Sequence, residues 1–127
     1  MKCEKYLKKR IHDNMSLTEL VDVFEKACNK FKKEQDMLLF EADTYSFTGK
    51  PMFYFSLVRQ FPNKEEEYCQ IHLDILYSPD QADGGYSESI WDEDIDGDFF
   101  DHIRNSEIYT RLKGEKIAEI DLYMDET

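Results

Sequence analysis

The sequence is poor in the residues that punctuate or staple a chain: 3 prolines, 5 glycines, 3 cysteines and one tryptophan among 127 residues. So little Gly and Pro excludes collagen-like and low-complexity chains. Cys3, Cys28 and Cys69 are odd in number and widely spaced, which leaves no disulfide framework and no zinc-ligand spacing. Cys28 and Cys69 fall on apolar faces and read as small buried hydrophobes. No run approaches the roughly 20 apolar residues that span a bilayer, and the basic stretch from Met1 to Asn14 lacks the apolar centre of a signal peptide. A cytoplasmic location is therefore the expectation. Also missing are a Gly-rich phosphate loop after a strand, a nucleophile elbow and a basic groove interleaved with aromatics. No motif names an enzyme.

What the chain has is apolar material and acid. Hydrophobic residues make up 41% and aromatics 14%, enough to build a core despite 35% charged residues. The length suits a single domain, residues 1–127. Lys2 to His12 reads as a short helix with Cys3, Leu7 and Ile11 on one face, the alternative being that residues 1–14 are a frayed basic tail. The net charge of −12 is unevenly placed. Residues 1–36 hold nine Lys and Arg against seven Asp and Glu, whereas residues 80–127 hold four against fifteen, a net of −11. A field of that sign repels nucleic acid and anionic membrane surfaces and attracts basic partners or cations.

Local patterns supply the elements. Ser16-Leu17-Thr18-Glu19 has the form of a capping box flanked by Met15 and Leu20 at the staple positions. Leu17, Leu20, Val21, Phe24, Ala27, Cys28 and Phe31 then recur at helical spacing, which predicts an amphipathic helix from Leu17 to Glu34. From Met37 the period changes to two. Strands are expected from Met37 to Asp43, from Met52 to Phe61 and from Tyr68 to Tyr77, joined by turns at Phe47 to Pro51 and Pro62 to Glu67. Ser78 to Gly97 reads as a long polar loop. Asp98 is placed to cap a helix through Arg104, Glu107 to Lys113 forms a second short helix, and Ile117 to Met124 is a last strand with Ala118, Ile120, Leu122 and Met124 inward. The expected fold is α+β: an antiparallel four-stranded sheet in α-β-β-β-α-β order, with the long N-terminal amphipathic helix packed on one face.

Two constellations carry chemistry. Asp92-Glu93-Asp94-Ile95-Asp96-Gly97 imitates the first half of a calcium loop, with Asp92, Asp94, Asp96 and Asp98 as candidate metal ligands. The second half fails, because Phe100 and Ile103 occupy positions that need oxygen donors. The other constellation appears when the strands are phased: Glu41, Asp43, Tyr54, His72, Asp74, Glu119 and Asp121 share the side away from the core, while Trp91 sits among acids in the long polar segment. These eight residues are the candidate partner-binding set. The leading expectation is a non-enzymatic acidic binding protein, of the inhibitor or immunity type, that docks a basic protein partner and needs no cofactor. The alternatives are a Ca²⁺- or metal-binding protein using the loop from Asp92 to Asp98, and a small enzyme centred on His72 with a carboxylate as its orienter.

Overall fold

The computed structural model describes residues 2–45, 51–60, 68–82 and 85–126. Phe47 to Lys50 and Pro62 to Glu67 of the expected turns, and Phe61 at the end of the second expected strand, lie outside them.

The first segment is helix α1 (Lys2–Arg10), with Cys3 and Leu7 buried. Two of its cations are held locally: Lys8 pairs with Glu4 at 3.5 Å, and the Arg10 guanidinium lies 3.6 Å from the Tyr6 ring centroid. Helix α2 (Leu17–Phe31) starts where the capping box places it. The Ser16 hydroxyl accepts from the Glu19 amide at 3.2 Å, and the Glu19 carboxylate accepts from the Ser16 amide at 3.1 Å, so two donors left free at the helix start are satisfied. The helix ends at Phe31 rather than the expected Glu34. Side chains claim the backbone there: Arg59 Nη2 donates to the Phe31 carbonyl at 3.1 Å, and Asp36 Oδ2 accepts from the Lys33 amide at 2.8 Å.

Five strands form one antiparallel sheet: β1 (Met37–Asp43), β2 (Met52–Gln60), β3 (Tyr68–Tyr77), β4 (Ser87–Trp91) and β5 (Ile117–Glu126), in the spatial order β4-β1-β2-β3-β5. The expected α+β class is right, and the expected four strands are corrected to five. The segment read as a long polar loop contains a 3-10 turn at Pro79–Gln81, strand β4 and a second 3-10 turn at Asp92–Asp94. β4 has too few apolar residues to advertise itself. It exists because its backbone pairs with the free edge of β1, Phe40 facing Ile90 and Glu41 facing Ser89.

Helices α3 (Phe99–Arg104) and α4 (Glu107–Leu112) are capped by Asp98, which accepts from the Asp101 amide at 2.9 Å, and by Ser106. Arg104 reaches back to Asp22 and Glu25 of α2 at 2.8 Å each, tying α3 to α2. Phe24 stacks on Phe55 at 5.1 Å, Phe100 lies 6.2 Å from Phe24, and Tyr109 lies 6.4 Å from Phe53. All four helices contribute buried residues to this cluster, so they share one face of the sheet. Burying each such aromatic or aliphatic side chain is worth roughly 1.5–3 kcal/mol, which makes this contact the main source of stability. Ala118, expected inward, is exposed. It lies beside a register shift where β3 and β5 fall out of step.

Cys3, Cys28 and Cys69 are all buried. Burial pushes the Cys3 thiol up to about 11 and raises Cys28 further, which keeps both protonated and inert. No helix is long and apolar enough to cross a membrane among the described residues.

Candidate functional site

In an antiparallel pair, residues opposite one another point to the same side of the sheet. The register therefore writes out the face away from the helices row by row. One row runs Ser89, Glu41, Tyr54, Asp74 and Asp121; the next runs Trp91, Leu39, Ser56, His72 and Tyr123; a third holds Ser87, Asp43, Met52, Leu76 and Glu119. All eight residues of the candidate partner-binding set stand in these three adjacent rows. Asp125, opposite Gln70, adds a sixth carboxylate to Glu41, Asp43, Asp74, Glu119 and Asp121. Among the described residues, no strand position on this face carries Lys or Arg. Trp91 reaches the face as the last residue of β4, not as part of a loop.

His72 stands on this face and is only 6% exposed. Its ring is stacked on Tyr123 at 4.7 Å and on Tyr54 at 5.6 Å. Nδ1 lies 2.8 Å from the Tyr54 hydroxyl and 3.1 Å from the Ser56 hydroxyl. Nε2 lies 3.0 Å from Asp125 Oδ2, an ion-pair distance outside the line of a hydrogen bond. The structure puts Asp125 against the ring, whereas Asp74, two residues along the strand, accepts from the Tyr123 hydroxyl at 3.2 Å. A serine and a carboxylate on opposite ring nitrogens have the connectivity of a hydrolytic triad. Ser56 has no exposed surface, however, so its hydroxyl is not presented to a substrate. The arrangement is better suited to holding Tyr54 and Tyr123 upright than to nucleophilic attack.

The electrostatics report crowded negative charge. Burial raises the Asp74 carboxyl above its ordinary value, assisted by Asp121 and opposed by the Tyr123 hydrogen bond and by His72. Asp74 Oδ1 is buried without a donor among the described residues, which disfavours the charged form further. Tyr123 is pushed up to about 12 by burial and then by Asp74, and Tyr54 is raised by burial with Glu41, Asp74 and Asp125 adding to it.

The loop from Asp92 to Asp98 does not gather its carboxylates into a metal site. Asp92 Oδ1 accepts from the Leu38 amide at 3.1 Å and its Oδ2 lies 3.9 Å from Lys32 Nζ, while Asp98 caps α3. Asp94 and Asp96 are exposed. Among the described residues, no group of three or more His, Cys, Asp or Glu side chains is arranged to hold a metal ion. Asp92 and Asp98 thus each accept from a backbone amide, at either end of the segment. Beside it, a cleft of about 560 Å³ is walled by residues that include Tyr86, Glu88, Asp96, Asp101, His102 and Glu107. There His102 Nε2 meets Glu88 Oε1 at 3.0 Å, a pairing the sequence did not suggest.

Sequence reasoning missed Ser56, Tyr123 and Asp125 as neighbours of His72. Their alternation with core residues was a usable signal for the side they occupy, whereas their proximity to His72 depends on the register between strands. Comparison with known proteins finds no matching family model, no similar curated protein and no similar solved structure, so the reading of this face rests on its own chemistry.

Proposed function

We propose that the protein is a non-enzymatic binding protein whose open sheet face docks a basic protein partner, in the manner of an inhibitor or immunity protein. One observation carries the reading: among the described residues, six carboxylates, no strand Lys or Arg, and the rings of Tyr54, Trp91 and Tyr123 share a face that none of the four helices covers. Carboxylates around large amphipathic rings suit recognition of Arg and Lys, the rings supplying area and cation–π attraction and the acids supplying charge complementarity. Complementary charge chiefly accelerates encounter and selects the partner. Exposed charges contribute little to folding, so a face of this kind is free to serve binding.

The test starts with capture of partners from the native cell at low and high salt, followed by association kinetics. Asp43→Lys with Asp121→Lys should leave the unfolding free energy within about 1 kcal/mol of the parent and slow association by roughly tenfold or more at low salt. Raised ionic strength should shrink that difference as the charges are screened. An association rate unchanged by the reversal at every salt concentration would overturn the reading.

A further inference from the structure

We propose that the partner engages this protein through an extended cationic segment that adds to the free edge of β5 as a sixth strand; the inference rests on the reading that the partner is basic. The two edges of the sheet differ in what they offer. β4 is a five-residue strand, whereas β5 runs for ten residues and pairs only with β3. Along a strand paired on one side, every second residue turns its N–H and C=O outward, and among the described residues no strand occupies that side of β5. A long open edge is a template for strand addition, in which backbone hydrogen bonds supply affinity and alternate side chains supply specificity.

The side chains of β5 say which strand it would accept. On the helix side, Ile117, Ile120, Leu122 and Met124 pack against the core cluster yet stay only partly buried, so the apolar layer stops short at this edge. On the open side stand Glu119, Asp121, Tyr123 and Asp125, and Ile117–Glu126 contains no Lys or Arg. A second copy of this chain, paired antiparallel through β5, would set these acids opposite one another, which is the usual device against edge-to-edge association. A strand with alternating apolar and cationic residues meets both sides at once. Its apolar residues extend the layer over Leu122, and its cations fall beside Asp121 and Asp125 on the open face.

The probe is a capped peptide of alternating Lys and Val, about eight residues long, within the ordinary span of a strand. Its pair is the same peptide carrying N-methyl groups on alternate residues, which keeps the charge and removes one edge of donors. At saturation, the first peptide should slow hydrogen exchange at alternate amides of Ile117–Glu126 by about tenfold or more, and the methylated peptide should bind at least about tenfold more weakly. Equal binding of the two peptides, with β5 exchange unchanged and perturbations confined to Tyr54, His72 and Trp91, would overturn strand addition while leaving a basic partner for the open face. Failure of both peptides to bind would also overturn strand addition; the charge-reversal kinetics above then decide the basic-partner reading on their own.

Discussion

The same strands build two faces of opposite character. Toward the helices, β1, β2 and β3 present Phe40, Phe53, Phe55, Leu57, Ile71, Leu73 and Ile75, none of them exposed. Toward the open side the intervening positions hold Glu41, Tyr54, Ser56, His72 and Asp74. A sheet of period two lets one set of residues answer to packing and the other to chemistry, with little exchange between them. The contrast extends to how each face treats its acids. At the rim of the covered side, Asp36 is almost wholly buried and binds Arg59 at 2.6 Å, whereas on the open side Glu119, Asp121 and Asp125 are exposed. The first acid is locked into the fold by its partner, and the others face solvent.

The largest expected effect comes from breaking the covered face. Phe24→Ala and Ile71→Ala should each destabilise by roughly 2–5 kcal/mol in denaturant unfolding, through lost burial and the cavity left behind. A loss below about 1 kcal/mol at both would mean that this face does not carry the fold.

Next comes the Asp36–Arg59 pair. Burial alone would raise the Asp36 carboxyl, but the Arg59 hydrogen bonds, the Lys33 amide and the Arg59 and Lys32 charges together hold it below its ordinary value. Arg59→Met leaves a buried carboxylate unpaired and should cost about 3 kcal/mol. Because the folded pKa is lowered, the pair's contribution is present in full above the unfolded carboxyl's pKa near 3.8 and is lost as pH falls through the folded value. The difference between parent and Arg59→Met should accordingly shrink in acid below about pH 4. A constant difference down to strong acid would contradict this assignment.

The smallest effect sharpens the comparison from the open side. Asp74 is the acid there whose folded pKa is raised, so its charged form costs stability at neutral pH, and the protein regains that cost as the group protonates. Asp74→Asn should therefore stabilise at pH 7 by less than about 1 kcal/mol, the scale for a partly exposed charge. The gain should fade as pH drops below the raised pKa, where Asp74 is neutral too. Destabilisation at pH 7 would show that the Tyr123 hydrogen bond to the carboxylate outweighs its desolvation.

Much of this was legible in the residues themselves, and the reasons are local. The start of α2 follows from Ser16 and Glu19, whose hydrogen bonds span three positions, and β1 and β3 follow from an alternation that a core on one side imposes. The shared side of Glu41, Asp43, Tyr54, His72 and Asp74 follows from the same alternation. What stayed hidden depends on pairing across the sheet. Ser87-Glu88-Ser89 has no strand propensity, and β4 forms because β1 has an edge to fill. Asp125 lies just past Met124, where the apolar alternation stops, so neither the full length of β5 nor the meeting of Asp125 with His72 is written in any local pattern. The early end of α2 has the same origin, since Arg59 caps it from another strand.

The claim that one face, rather than net acidity, selects the partner has a direct measurement: association rates for two double reversals of equal charge. Asp43→Lys with Asp121→Lys alters the open face, and Glu93→Lys with Asp96→Lys alters the exposed segment before α3. Both change the net charge equally, so a long-range field treats them alike, while a local docking face does not. The account predicts roughly tenfold or greater slowing for the first variant at low salt, narrowing at high salt, and much less for the second. Equal slowing of both, or slowing of the second alone, would contradict it.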